Sequence, residues 1–187
     1  MKIGVLAVQG AFIEHEHMIE EIGHTAIEIR QRDDLERLDG LILPGGESTV
    51  QGQLLNKLDM MKDIKNMISN GLPTLATCAG LILLSEHIAD DDTVHIGTLP
   101  VTIKRNAYGR QLSSFVTNAD IKHIGNYPMT FIRAPYIENV SDGVEVLASF
   151  VDNHIVAAKY NNQIGLSFHP ELTGDTRIHE YFLSTIK

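Results

Sequence analysis

The sequence predicts an α/β fold in which a mixed, mostly parallel central sheet is covered by helices and gains added antiparallel strands. In the first half, near-continuous apolar runs such as residues 2–8 have the pattern of strands buried on both faces. They alternate with helical segments, which favours parallel pairing through right-handed crossovers. In the second half, shorter apolar runs are separated by Gly, Asn and Asp, which favours antiparallel hairpins.

The predicted elements follow the chain in that order. In the first half, strands are predicted at residues 2–8, 25–30, 40–43 and 74–77, and helices at residues 12–22, 33–38, 48–56, 59–69 and 79–87. In the second half, strands are predicted at residues 101–104, 114–120, 130–133, 144–149, 155–160 and 163–168, before a closing helix at residues 175–186. The pairs Asp152-Asn153 and Asn161-Asn162 suit tight hairpin turns.

Length and composition predict one globular domain over residues 1–187, because no linker, repeat or low-complexity tract interrupts the chain. A net charge of −9 argues against nucleic acid or a membrane surface as a partner. The single cysteine excludes an internal disulfide and fits a reducing cytoplasm. The sequence contains no apolar stretch of about 18 residues, so no spanning helix is expected, and the N-terminus does not resemble a signal peptide.

The only cysteine, Cys78, lies at a predicted strand-to-helix corner. The pattern small-x-Cys-x-Gly resembles a nucleophile elbow, in which a strained turn lifts one side chain above the sheet. The small residues Ala76, Ala79 and Gly80 allow the strand and helix backbones to approach closely. The alternative is that Cys78 is an inert, buried hydrophobic residue, which is the usual environment of a free cysteine.

A second candidate group follows the last predicted strand, at His169-Pro170-Glu171. In an extended segment, residues two apart point the same way, so the imidazole and the carboxylate are expected side by side. Such a carboxylate holds the imidazole tautomer and stabilises the imidazolium, as the third member of a triad does. The alternative is a surface turn with a helix-capping glutamate.

The glycine-rich segment at residues 44–49 follows the third predicted strand, where parallel sheets place ligands. Gly45 and Gly46 leave backbone N–H groups uncovered, and Ser48 or Thr49 is expected to cap the next helix. The sequence contains neither of the two glycine-rich phosphate-binding motifs, G-x-x-x-x-G-K-[ST] and G-x-G-x-x-G.

A cluster of two glutamates and two histidines at residues 14–17 raises the question of a metal site. Zinc-protease spacing needs a histidine four residues after His15, and that residue is Ile19. We therefore predict a solvated helix face here and no metal site.

Together, the elbow cysteine, the glycine pair and the later His-x-Glu resemble the class I, triad-type glutamine amidotransferases. Five segments narrow the resemblance to the glutaminase subunits of pyridoxal 5′-phosphate synthases: LPGGEST (43–49), TCAGLI (77–82), RNAYGRQ (105–111), FIRAP (131–135) and SFHPEL (167–172). Ile82, where most of the class carries glutamine, fits this vitamin B6 branch. Two departures are Ala76, where the elbow usually begins with glycine, and Tyr108, where phenylalanine is expected.

The resemblance implies a three-layer αβα sandwich of the flavodoxin-like, class I glutamine amidotransferase-like type, and hydrolysis of L-glutamine to L-glutamate and ammonia. Cys78 is the expected nucleophile, His169 the acid and base, and Glu171 the residue that orients His169. The backbone N–H groups of Gly46 and Ala79 are expected to hold the oxyanion. The resemblance places glutamine against Gly46, Glu47, Ser48, Arg105, Ile132 and Arg133, and Gln9 lies on another loop at the expected ligand edge.

The resemblance also implies a partner, since the glutaminase accounts for all 187 residues and leaves no domain to accept ammonia. The acceptor would be a separate TIM-barrel synthase subunit, in a hetero-oligomer, and this chain would carry no cofactor. Two alternatives remain at this point: another thiol hydrolase, such as a peptidase, on the same fold, and a non-catalytic flavodoxin-like module.

Overall fold

The computed structural model describes residues 1–105, 114–150 and 153–187. Its strands are β1 (Lys2–Leu6), β2 (Thr25–Ile29), β3 (Gly40–Leu43), β4 (Thr74–Thr77), β5 (Ser85–Ile88), β6 (Leu99–Lys104), β7 (Ser114–Ile121), β8 (Gly125–Ile132), β9 (Tyr136–Val140), β10 (Glu145–Phe150), β11 (His154–Tyr160) and β12 (Gln163–Leu166). Its α-helices are α1 (Phe12–Glu21), α2 (Ser48–Lys57), α3 (Met61–Ser69), α4 (Ala79–Leu84) and α5 (Arg177–Ser184), with 3₁₀ turns at Arg32–Leu35 and Pro170–Leu172.

Ten of the strands in the described residues form one mixed sheet, in the order β2-β1-β3-β4-β12-β11-β9-β6-β5, with β10 beside β11. Strands β2, β1, β3, β4 and β12 pair with one another in parallel, in that order. From β12 onward, β11 pairs antiparallel with β12, β9 and β10. β7 and β8 form a second, two-stranded antiparallel sheet. The mixed, mostly parallel sheet with antiparallel additions is therefore confirmed.

The two faces of the sheet carry separate apolar cores, as alternation along each strand requires. Leu41 and Leu43 of β3 join the core that contains Leu55 of α2, Ile64 of α3 and Leu81 of α4. The intervening Ile42 joins the opposite core, together with Ile19 of α1 and with Ile178 and Phe182 of α5. Helices therefore cover both faces, and the fold is the predicted three-layer αβα sandwich. Within the described ranges, no helix has the length and apolar character that a membrane crossing requires.

The structure corrects several predicted boundaries. α4 ends at Leu84, three residues early, because the Ser85 hydroxyl donates a hydrogen bond to the carbonyl of Ile82 (2.9 Å) and the chain continues as β5. Strand β9 was not predicted. β8 begins at Gly125, five residues before the predicted start, because its Pro128 is tolerated in a two-stranded ribbon. Residues 106–111 of the RNAYGRQ segment, which include the departure at Tyr108, and the predicted turn residue Asp152 lie outside the described residues.

Candidate active site

Cys78 occupies the corner between β4 and α4 that the sequence predicts. Its backbone has φ 48° and ψ −102°, a conformation that non-glycine residues rarely adopt. Neighbouring backbone holds it there: the N–H of Cys78 donates to the carbonyl of Leu166 (2.8 Å), and the N–H of Ile82 donates to the carbonyl of Cys78 (3.3 Å). Ala76, where a glycine was expected, is fully buried on β4, opposite Gly165 of β12.

At Gly80, α4 approaches the sheet closely, but the strand that it meets there is β3 rather than the preceding strand β4. A Cβ atom built on Gly80 would lie 2.7 Å from the carbonyl carbon of Leu43 in β3 and closer still to its oxygen. Real Cβ atoms essentially never come within 3.0 Å of another heavy atom in this way. Glycine is therefore required two residues after Cys78 for the elbow to sit against the sheet.

His169 and Glu171 form a tight pair at the end of the strand that precedes them. The Nδ1 atom of His169 lies 2.6 Å from Oε1 of Glu171, whose side chain is completely buried. The extended geometry that we predicted for this segment stops at His169, because Pro170 opens a 3₁₀ turn that contains Glu171. The turn, rather than a continuing strand, brings the carboxylate back beside the imidazole.

The β7–β8 ribbon supports the same group of residues from outside the main sheet. The N–H of His169 donates to the carbonyl of Thr130 in β8 (2.8 Å), and Sγ of Cys78 lies 3.9 Å from the carbonyl of Ile132 at the end of β8. Arg133 follows directly, with a positive φ of 42°. The ribbon therefore forms one wall of the site.

The electrostatics of the three residues favour a charged His169. Burial acts to lower the pKa of His169, but hydrogen bonds to Cys78 and Glu171, together with their negative charge, outweigh it and raise the pKa to about 10. For Glu171, burial acts to raise the pKa, and the proximity of His15 and His169 outweighs it, so the pKa falls below its usual value. An imidazolium beside a cysteine is the environment that stabilises a thiolate.

A cleft of about 580 Å³ opens above Cys78, a volume within the usual range for small-molecule sites. It is lined by Gln9, Ala11, Gly45, Gly46, Glu47, Ser48, Cys78, Ala79, Ile82, Arg105, Ile132, Arg133, Pro135 and His169. Every substrate-binding and oxyanion residue that the sequence analysis named is in this set, and so is Gln9. Among the described residues, Glu171 does not line the cleft; it contacts Nδ1 of His169 from the protein interior.

The glycine-rich loop is fixed from two sides. The N–H of Ala11 donates to the carbonyl of Gly45 (3.0 Å), and Oε1 of Gln9 accepts from the N–H of Glu47 (2.8 Å). A Cβ on Gly45 would lie 2.9 Å from Nδ1 of His169 and closer to Cε1, so only glycine fits beside the imidazole. Gln9 therefore holds the loop as well as lining the cleft.

The cap of α2 differs from the prediction. The helix starts at Ser48, and its N-cap is Glu47, whose carboxylate accepts from the N–H groups of Thr49 (3.4 Å) and Val50 (3.2 Å). Neither Ser48 nor Thr49 is the cap. The longer glutamate side chain reaches back over the first turn, where a carboxylate is also favoured by the helix dipole.

Arg105 and Arg133 are the cations that line the cleft among the described residues. Nη1 of Arg105 lies 3.1 Å from Oδ2 of Asp91, and its buried Nε has no hydrogen-bond partner among the described residues. Arg133 is exposed to solvent at the mouth of the cleft. Both are thus placed to meet an anionic group entering the cleft.

The structure overturns the prediction of a solvated helix face at His15. His15 is completely buried, and its Nε2 atom lies 3.3 Å from Oε2 of Glu171. The sequence does carry a signal for this burial, since Phe12, His15, Ile19 and Ile22 recur at helical spacing along α1. The run of four consecutive polar residues masks that signal. Within the described residues, no group of three or more His, Cys, Asp or Glu side chains is arranged to hold a metal ion.

Comparison with solved structures identifies the class of protein. A crystal structure of a glutamine amidotransferase superposes with a TM-score of 0.94 at 38% identity, covering 98% of each chain. A glutamine amidotransferase from Thermotoga maritima superposes with a TM-score of 0.65 at 15% identity, covering 98% of this chain and 83% of the other, which supports the fold alone. The fold is thus that of a glutamine amidotransferase.

The family follows from the sequence comparisons. The model of the SNO glutamine amidotransferase family matches residues 5–187. A pyridoxal 5′-phosphate synthase subunit PdxT from Desulfitobacterium hafniense (strain Y51) is 58% identical over 187 residues, which is 100% of this chain and 94% of the relative. One from Streptococcus pneumoniae (strain ATCC 700669) is 51% identical over 191 residues, covering 100% and 98%. This chain belongs to the SNO glutamine amidotransferase family.

Proposed function

We propose that this chain is the glutaminase subunit of a pyridoxal 5′-phosphate synthase, in which it hydrolyses L-glutamine and supplies ammonia to a separate synthase subunit. The observation that carries the proposal is the position of Cys78 and His169 on one cleft, with Glu171 against the far side of the imidazole. The full-length similarity to PdxT subunits at 51–58% identity supports the same reaction and pathway.

In the proposed reaction, the Cys78 thiolate attacks the side-chain amide carbon of glutamine and the carbonyl oxygen takes the negative charge. As the C–N bond breaks, the His169 imidazolium gives its proton to the nitrogen, which leaves as ammonia, and a glutamyl thioester remains. The neutral imidazole then takes a proton from water as the water attacks the thioester. Collapse of the resulting tetrahedral adduct breaks the C–S bond, which expels the Cys78 thiolate, releases glutamate and restores the thiolate–imidazolium pair. Glu171 keeps His169 oriented through both steps.

The oxyanion is assigned to the backbone N–H groups of Gly46 and Ala79, two residues that share the cleft wall with Cys78. Backbone donors need no reorganisation when the charge develops. Losing one such donor typically costs about 3 kcal/mol of barrier.

Glutamine recognition is assigned to the remaining residues of the cleft. The α-carboxylate requires a cation, supplied by Arg105 or Arg133, and the α-ammonium requires an acceptor, supplied by Glu47 or a backbone carbonyl. Ser48 and Ile132 complete the wall against which the substrate lies.

The ammonia acceptor in this proposal is a TIM-barrel synthase subunit that forms a hetero-oligomer with this chain and assembles pyridoxal 5′-phosphate. In this proposal, the precursors of pyridoxal 5′-phosphate bind that partner, and this chain carries no cofactor. We also propose that residues 1–187 act as one glutaminase domain in the cytoplasm, where a lone thiol stays reduced.

The test is release of glutamate and ammonia from L-glutamine by the chain alone and by its complex with the synthase subunit. The Cys78→Ser variant keeps the side-chain volume and is expected to lose activity by about 10³-fold or more, on the order of other nucleophile replacements. Absence of glutamine hydrolysis in the complex, or cleavage of peptides in its place, would overturn the proposal.

Substrate recognition has its own matched pair of variants. Arg105→Met is expected to raise KM for glutamine about 10- to 100-fold, as loss of a charge-assisted contact does. Lys104→Met removes the neighbouring cation, which is exposed and faces Glu138, and is expected to leave KM unchanged. Equal KM values for both variants would remove Arg105 from the assignment.

A further inference from the structure

A buried chain of polar side chains continues beyond Glu171, away from the cleft. Oε2 of Glu171 lies 3.3 Å from Nε2 of His15, which is also 3.2 Å from the hydroxyl of Thr77 in β4. Nδ1 of His15 lies 2.9 Å from Nε2 of His179 on α5. His15, Thr77 and His179 are each fully buried, so water does not replace any of these contacts.

Burial disfavours the charged form of both histidines. Burial lowers the pKa of His15, against the opposing effects of Glu171 and Glu14. Burial likewise sets the pKa of His179 well below its usual value, and the proximity of His15 lowers it further. A neutral imidazole has one N–H donor and one acceptor nitrogen, so each ring must adopt one tautomer.

The ionised carboxylate fixes those tautomers, because it can only accept. Nε2 of His15 must carry the hydrogen that faces Glu171 and Thr77, so Nδ1 of His15 is an acceptor. That acceptor requires Nε2 of His179 to donate. On the other side of the carboxylate, Nδ1–H of His169 donates to Oε1. This arrangement of protons is compatible with the contacts from His179 to His169, in which Oε2 of Glu171 lies 3.3 Å from Nε2 of His15 without a hydrogen bond.

We propose that His15 is a positioning residue of the glutaminase site: it holds Oε2 of Glu171 so that Oε1 stays aligned with His169, and His179 keeps His15 in the donating tautomer. The inference rests on the proposed function. Among the described residues, His15 does not line the cleft. It therefore acts on the chemical steps and not on glutamine binding.

A packing role alone would not require these residues. An aliphatic side chain at position 15 would fill the same helix face without burying a polar ring, which is costly unless the ring is hydrogen-bonded. The structure instead places two imidazoles and a hydroxyl behind one carboxylate, each within 3.3 Å of the next polar atom. Oε2 of Glu171 is buried and makes no hydrogen bond among the described residues, so the 3.3 Å contact with Nε2 of His15 is the polar contact that the structure gives this charged oxygen.

The experiment compares two variants of His15 in the complex with the synthase subunit. His15→Met keeps the volume and removes the donor, and kcat is expected to fall about 10- to 100-fold, as for outer-shell partners elsewhere, with KM within about twofold of wild type. His15→Gln places an amide N–H near the position of Nε2 and is expected to recover most of kcat. The control is His17→Met, the same change at an exposed position of α1.

A second measurement needs no variant and no activity. ¹⁵N NMR of histidine-labelled wild type is expected to show His15 and His179 as neutral Nε2–H tautomers at pH 7. The inference is overturned if His15→Met keeps wild-type kcat, if His15→Gln loses as much kcat as His15→Met, or if either ring carries its hydrogen on Nδ1. If His15→Met does not fold, the kcat of His15→Gln and the tautomers observed by NMR still test the inference. Failure of the wild type to hydrolyse glutamine would instead contradict the proposed function, and leaves the tautomer test standing.

Discussion

Replacement of Gly80 by alanine tests whether the elbow holds Cys78 in register with the cleft. The added methyl group would meet the backbone carbonyl of Leu43, which belongs to β3. That strand cannot yield easily, because it is hydrogen-bonded to β1 on one side and β4 on the other. The start of α4 must therefore move away from the sheet by about 1 Å to restore a normal contact.

The expected cost follows from this displacement. Overpacking a rigid interior costs about 1–3 kcal/mol, and a clash with backbone belongs at the upper end. The better helix propensity of alanine returns about 1 kcal/mol, which leaves a net loss of about 2 kcal/mol in the free energy of unfolding. Cys78 lies two residues away, and a shift of about 1 Å in a reacting group costs roughly 100-fold in rate.

Urea unfolding and kcat for glutamine hydrolysis measure the two effects. The control is Gly23→Ala, where φ is +82° but a Cβ would meet no atom within 4 Å. This control is expected to lose about 1 kcal/mol in the free energy of unfolding, through backbone strain alone, and to keep the kcat of wild type. If Gly80→Ala retains a kcat within about twofold of wild type, the elbow does not depend on this close approach and the reasoning is refuted.

Three further predictions concern the site and its supports. Because the pKa of His169 is raised from 6.5 to about 10, the stability it contributes is complete below pH 6.5 and is lost as pH rises to 10. The free energies of unfolding of wild type and His169→Asn, measured in urea, should therefore converge as the pH rises from 6.5 to 10. A difference that stays constant with pH would contradict this prediction. Glu47→Ala, which removes the cap of α2, should cost about 1 kcal/mol in urea unfolding, and an unchanged midpoint would speak against the cap. Tyr127→Phe, which removes a donor to the carbonyl of Asp175 (2.7 Å), should cost about 1 kcal/mol in thermal unfolding, and no loss would mean that this hydrogen bond contributes nothing.

The parts of the fold that the sequence predicts best are those in which one local pattern decides the structure. Strands β3 and β4 have their predicted boundaries, because each is an apolar run buried on both faces between clear breaks. The end of α4 was misplaced, because residues 79–84 are apolar on every side and give no period from which to read its length. Strand β9 was missed, because Glu138 and Asn139 make it polar and its pairing with β6 is distant in sequence.

The site shows the same division between local and long-range information. Cys78 and the His169 segment are visible as motifs, because turn chemistry and residue spacing are local. The cap at Glu47 was missed because glutamate is not a favoured N-cap residue, and only the reach of its side chain reveals the role. The environment of His15 depends on Glu171 and His179, which lie far along the chain from α1.

The ribbon of β7 and β8 makes the candidate site depend on a part of the chain that contributes no strand to the central sheet. Its Thr130 carbonyl satisfies the backbone of His169, so trimming the ribbon would leave that N–H without an acceptor and would strip one side from the sulfur of Cys78. A shorter version of this fold would need a substitute for both.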